Sequence, residues 1–160
     1  MEAQNKSKLA VFLTLLAVAL VGCKSVTNLE NDPAFKPMFG KIFKTKKALV
    51  VMNYRDTPKE FVLGIPGTQD VPPIEKMPKE FPFVYFNQTT YGVLPVGSEF
   101  RIVRIARVKS IEYSFVDFYA DVTSEGPFKG YRLEVGGPTD QTKPVPTFDP
   151  EYVVEASLAQ

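Results

Sequence analysis

The chain has 160 residues, of which 44% are hydrophobic and 23% charged, with 14 prolines, one cysteine, no histidine and no tryptophan. That length suits one domain, and the hydrophobic share is near that of globular proteins, so a core can form. Lack of histidine removes imidazole chemistry and the commonest metal ligand, a lone cysteine excludes an internal disulfide or a CxxC metal knuckle, and a net charge of +1 lacks the basic excess of nucleic-acid binders.

Residues 1–8 are polar, with Lys6 and Lys8 set against Glu2. Leu9 to Val21 follows, an apolar run whose only polar residue is Thr14. The run is too short to cross a bilayer, which takes about 20 residues, and it shows no polar face at the helical period, as a core helix would. A basic start followed by a short apolar run has the layout of a secretory signal peptide.

The next residues refine that reading. Leu20-Val21-Gly22-Cys23 resembles the lipobox of bacterial lipoproteins. The resemblance covers residues 1–23 alone. It implies a signal peptide over residues 1–22, cleavage between Gly22 and Cys23, and acylation of the Cys23 thiol. The plainer alternative is a buried cysteine after an uncleaved N-terminal helix. Two or more acyl chains anchor a protein stably where one binds only marginally. Lys24 rather than Asp follows the cysteine. By resemblance to the sorting pattern of Gram-negative lipoproteins, this implies an outer-membrane address facing the periplasm.

Residues 23–40 are polar and hold Pro33 and Pro37, spaced against a helix. They read as a tether ahead of a single β domain over residues 41–160. The alternative for the part after Pro33 is an arm that packs Phe35, Met38 and Phe39 on the core. Ala48 to Met52 is apolar and rich in β-branched residues, a strand by length, and Asn53 to Pro58 reads as the turn after it. Glu60 to Leu63 is a second short strand. Gly64 to Pro82 contains five prolines, which forbid a helix or a central strand. Loops of that length are usually functional or disordered.

Phe83 to Phe86 is the next strand, and Tyr91 to Ser98 reads as the approach to a turn. Glu99 to Val108 alternates and then slips phase at Val103, as a β-bulge does. A helix is the rival there, because Ile102, Ile105 and Ala106 share a helical face. Ser114 to Val122 alternates strictly: Val116, Phe118, Ala120 and Val122 face one way, and Phe115, Asp117, Tyr119 and Asp121 the other. With Tyr131 to Val135 it forms a hairpin. Residues 136–150, with four prolines, read as irregular, and Tyr152 to Val154 as an edge strand. The pattern predicts an all-β fold, a small antiparallel barrel or a sandwich. Leu94 to Ile102, where Gly97-Ser98 leads into a strand, resembles a segment of bacterial SH3-like barrels.

The remaining chemistry is sparse. Asp117 and Asp121, four apart on a strand, are about 13 Å apart at ~3.3 Å per residue, too far for paired-carboxylate glycoside hydrolysis. They read as solvent-face charges. No GxSxG or SxxK pattern activates a serine, and no phosphate loop or calcium loop is spelled out. The expectation is no enzyme, no metal and no cofactor. Arg101, Arg104, Arg107 and Lys109 form a local basic group suited to an anionic surface or a carboxylate-rich partner, or simply charges guarding a strand edge. Phe115 and Tyr119 share one side of a strand and suit a partner's groove or a sugar ring, unless both faces of that strand are buried. Together these features predict a non-catalytic interaction or assembly module held at a membrane by lipid, with an envelope protein as partner and no nucleic acid. The alternative is a ligand- or glycan-binding module using the aromatic face and the proline-rich loop.

Overall fold

A computed structural model describes residues 24–57 and 60–156. The signal segment 1–22 and Cys23 lie outside the described residues. The described residues form twelve strands: β1 (Ser25–Asn28), β2 (Ile42–Thr45), β3 (Leu49–Tyr54), β4 (Phe61–Gly64), β5 (Phe83–Tyr85), β6 (Gln88–Leu94), β7 (Glu99–Lys109), β8 (Ser114–Val122), β9 (Arg132–Glu134), β10 (Thr139–Asp140), β11 (Thr147–Phe148) and β12 (Val153–Glu155). The all-β expectation holds. Ten strands make one sheet in the order β12-β2-β7-β8-β9-β4-β3-β6-β5, with β1 added on β7, while β10 and β11 pair separately. The sheet curls as a half-barrel, and its end strands β12 and β5 do not pair with each other. Every pairing is antiparallel except β4 with β9.

Strands β7 and β8 are the centre of the sheet, and both follow from the sequence pattern. The even positions of β8 supply Val116, Phe118, Ala120 and Val122 to the main core, where they meet Leu49, Val51, Leu63, Phe100, Ile102 and Ile105. The phase slip in β7 is a bulge: the register with β8 shifts between Ile102 and Arg104, leaving Val103 without an opposite residue. The extra residue keeps both Ile102 and Ile105 facing inward, which a regular two-residue period does not allow.

Residues 25–40 are not a tether. β2 covers only Glu99 to Arg101 of one β7 edge. β1 covers the far part of that same edge, pairing Ser25 with Lys109 and Asn28 with Ala106. The Leu29 amide then donates to the Ile105 carbonyl at 2.9 Å, and the Gly40 amide to that of Ile102 at 2.9 Å. Leu29 and Phe35 are buried in the main core, with the Phe35 ring 6.4 Å from that of Phe118. An eleven-residue strand that pairs with only three residues of β2 exposes a long row of amides, and the N-terminal arm satisfies them. The β domain therefore begins at the first described residues rather than at residue 41.

Tyr91 to Ser98 also differs from expectation. Seven residues, Gln88 to Leu94, form β6, and the turn is confined to Pro95–Ser98. The buried positions of this strand are Gln88, Thr90, Gly92 and Leu94, but a register shift at Tyr91 keeps Gly92 and Leu94 opposite the inward Val51 and Leu49 and sets Thr90 opposite the outward Met52. Both sides are therefore buried, largely through polar residues and glycine. Gly92 is required by its neighbour, since a Cβ there would lie 2.8 Å from the Phe128 ring. The proline-rich loop does not hang free. Val71 is buried with Val50 and Met52 of β3 in a second cluster, against which Met77 packs. Leu49 and Val51 point into the main core while Val50 and Met52 point out, and the loop roofs that outer pair.

Candidate functional site

Of the contact residues singled out in the sequence, Arg101, Arg104, Phe115 and Tyr119 fall on the outer face of β7 and β8, next to β9. Residues opposite each other in antiparallel strands project to the same side. Arg101 is opposite Asp121, Arg104 opposite Tyr119, Ala106 opposite Asp117, and Val108 opposite Phe115. On the other flank of β8, Tyr119 is opposite Glu134 and Asp121 opposite Arg132. The bulge at Val103 divides the basic group: Arg101 and Arg104 lie on this face, whereas Arg107 is opposite the core residue Val116. The three arginines do not make one patch.

Tyr119 sits in the middle of the face. The Arg104 guanidinium lies over its ring at 5.2 Å from the centroid. Its hydroxyl donates to Asp117 Oδ2 at 3.5 Å, a long contact near the limit for a hydrogen bond. Burial pushes the Tyr119 phenol up to about 12, with the Asp117 carboxyl adding to the effect. Phe115 is separate: its ring stacks on that of Tyr113, with centroids 5.3 Å apart. The two aromatic residues expected to act together are each engaged by a different neighbour, so they do not form one flat platform for a sugar.

Asp117 is not a solvent-face charge. It is only 6% exposed, beside the small side of Ala106. Burial raises its carboxyl to about 6, against the opposing influence of Lys24, Tyr119 and Arg104. Glu134, which the sequence did not mark, is its companion: burial raises it to about 7, and the nearby Asp117 charge pushes the same way. Desolvation disfavours the ionised form of each acid, and like charges cannot both ionise cheaply at one place. Glu134 thus holds its proton to near-neutral pH and Asp117 to mildly acid pH. The short strand Arg132–Glu134 gives no signal of this, because Glu134 is placed by pairing with distant residues, Tyr119 of β8 and Val62 of β4. Asp121 behaves differently, as Arg132 grips it through Nε at 2.8 Å and Nη2 at 3.1 Å, a bidentate pair.

Chemically, this face can take up or release a proton between the values of its two acids and can donate hydrogen bonds from neutral carboxyls. Among the described residues, no group of three His, Cys, Asp or Glu could hold a metal ion. A cavity of about 280 Å³ lies elsewhere, between the proline-rich loop and Tyr152, lined by Pro66, Pro73, Ile74 and Lys47 among others. It is slightly smaller than the ~300–1,000 Å³ of most ligand sites; the proline-rich loop lines it, whereas Arg101, Arg104, Arg107, Phe115 and Tyr119 do not.

A third feature was unmarked in the sequence. Among the described residues, β5 closes one end of the sheet and has β6 on one side only. Tyr85 pairs with Gln88, so Phe86-Asn87 is a two-residue hairpin turn. Phe86 stands there at φ +50 and is 71% exposed. Glycine or asparagine usually takes such a place, and a bulky residue in it is strained. Phe81 and Val84 are exposed beside it, the Phe81 and Phe83 rings are 5.6 Å apart, and those of Tyr85 and Phe86 are 4.6 Å apart. The chain from Phe81 to Asn87 contains no charged residue.

No family model matches the chain, and neither curated proteins nor solved structures yield a match.

Proposed function

We propose that the chain is a lipid-anchored protein of the bacterial cell envelope, held through Cys23, outer-membrane facing the periplasm, and that it works without catalysis as an interaction or assembly module. The lipobox-like Leu20-Val21-Gly22-Cys23 supports the anchor. The observation that carries the role is the bare edge of β5. Natural sheets guard their edges with charge, because an open row of backbone groups invites another strand. The opposite end strand follows that rule: on β12 the Glu155 carboxylate holds Lys41 at 2.8 Å. The β5 edge carries aromatic and aliphatic side chains instead, led by a strained, exposed phenylalanine. Such an edge suits a protein partner that adds a strand and seats its own side chains between the rings.

The test uses the intact protein in its own envelope. A photo-crosslinking residue is placed at Val84, at Phe86 or, as control, at Val154 on β12. One dominant adduct is expected from the first two positions and not from Val154. Val84→Lys, which puts a charge on the edge, should abolish it. Equal adducts at all three positions, or none, would defeat the proposed edge. The anchor is read separately: Cys23→Ala should leave an uncleaved precursor that takes up no labelled palmitate, and normal labelling of that variant would refute acylation there.

A further inference from the structure

One rim of the sheet lies within two residues of Cys23. Ser25 is locked in register opposite Lys109, the last residue of β7. Only Lys24 separates it from Cys23. Two residues span at most about 7 Å. Anything that anchors Cys23 in a bilayer therefore brings the β7–β8 hairpin to the lipid surface, since the sequence leaves no tether to hold it away.

The side chains at this rim fit such a surface. Val26, Val108 and Phe115 lie side by side across β1, β7 and β8 on one face, and Tyr113 stacks on Phe115. The hairpin tip projects Ile111, which is 72% exposed, and Val26 and Tyr113 are also exposed. The tip is held in shape: Ser110 Oγ accepts from the Glu112 amide at 3.2 Å and the Tyr113 amide at 3.1 Å, and the Ser110 amide donates to the Tyr113 carbonyl at 2.8 Å. The exposed Lys24 precedes β1 at this end, and Arg107 and Lys109, also exposed, project at the same rim from the opposite face of the sheet, with Glu112 the one acid in the tip. Tyrosine favours the lipid interface, and basic side chains favour anionic headgroups.

We infer that Val26, Ile111, Tyr113 and Phe115, with Lys24 beside them and Arg107 and Lys109 reaching down from the other face of the same rim, rest on an anionic phospholipid bilayer, so that the sheet is held in a fixed orientation instead of swinging from its lipid. The inference rests on the lipid-anchored reading above and adds the surface that meets the membrane.

The chain contains no tryptophan, so one can be introduced as a lone reporter in the full acylated protein. Ile111→Trp and Val26→Trp probe the rim. Val96→Trp, at an exposed site in the turn before β7, probes the far end of that strand, roughly 30 Å away at ~3.3 Å per residue. Each variant is reconstituted into vesicles of phosphatidylethanolamine and phosphatidylglycerol containing brominated lipid. The expected result is blue-shifted, strongly quenched emission at 111 and 26, with water-like, unquenched emission at 96. Replacing phosphatidylglycerol by neutral phosphatidylcholine should lessen the difference. Equal quenching at all three sites, or water-like emission at 111 in pure lipid vesicles, as when the rim is reserved for a protein, would overturn the inference. Vesicle flotation and the mass of Cys23 report the anchor independently of which end faces the lipid.

Discussion

Tyr119 of β8 stands directly opposite Glu134 of β9, and Asp117, one step along the same face, is buried beside them. This couples folding to pH. Asp117 moves from 3.8 to about 6 and Glu134 from 4.5 to about 7, each chiefly through burial. Between the unfolded and folded values the folded state binds more protons, so stability is full at acid pH and falls as pH rises through about 6 and about 7. With partial solvent access allowed for, the loss between about pH 5 and pH 8 is roughly 2–4 kcal/mol. Urea midpoints over that range should fall in the natural chain and stay nearly level in the double variant Asp117→Asn, Glu134→Gln.

The N-terminal arm contributes to the core, and Phe35 measures how much. Its ring is 1% exposed and packs against Phe118. Phe35→Ala removes that ring from a site that cannot fully collapse and should cost about 3–5 kcal/mol. Denaturant unfolding followed by circular dichroism reads this directly, whereas a loose tether predicts no change.

Thr90 carries a liability. It is 0% exposed and its hydroxyl has no hydrogen-bond partner among the described residues, nor has either polar atom of the buried Gln88 two residues earlier. An unsatisfied buried hydroxyl is costly, and removing it relieves the cost. Thr90→Val, similar in shape, should raise stability by about 1 kcal/mol, seen as a higher melting temperature.

Gly137 marks a close backbone approach. A Cβ at this position would lie 2.5 Å from the Leu63 carbonyl oxygen, the oxygen that accepts the Gly137 amide at 3.2 Å. Neither partner is a flexible side-chain end, so the backbone must shift. Gly137→Ala should destabilise by about 1–3 kcal/mol. Gly67→Ala differs, because its cost comes from φ +82 alone, with open space around it. A structure of each variant should show displacement at Leu63 only for the first.

Much of the central sheet was legible because hydrophobic alternation and burial coincide there. Val116, Phe118, Ala120 and Val122 were read as one face, and the phase slip in β7 as a bulge. Strand β6 was obscured because its buried positions include Gln88, Thr90 and Gly92, which carry no hydrophobic signal, and because a bulge at Tyr91 breaks its period. The arm at 25–40 was obscured because its pairing partner, the unfilled edge of β7, lies some eighty residues away in the chain. The site was half legible. Arg104 and Tyr119 do meet, but Arg107 crosses to the other face through the single residue inserted at Val103. Asp117 looked like a surface charge because alternation says which side a residue faces and not what covers that side.

From its own residues the chain determined the all-β character, the core face of β8 and the lipobox-like start, since each depends on neighbours within a few residues. Tertiary structure decided the rest. It decided that Asp117 and Glu134 share a desolvated face, that β5 is left as an uncharged edge, and that Ser25 is clamped to Lys109 close behind Cys23. Burial and strand order are sums over distant segments, and no local pattern encodes a distance between them.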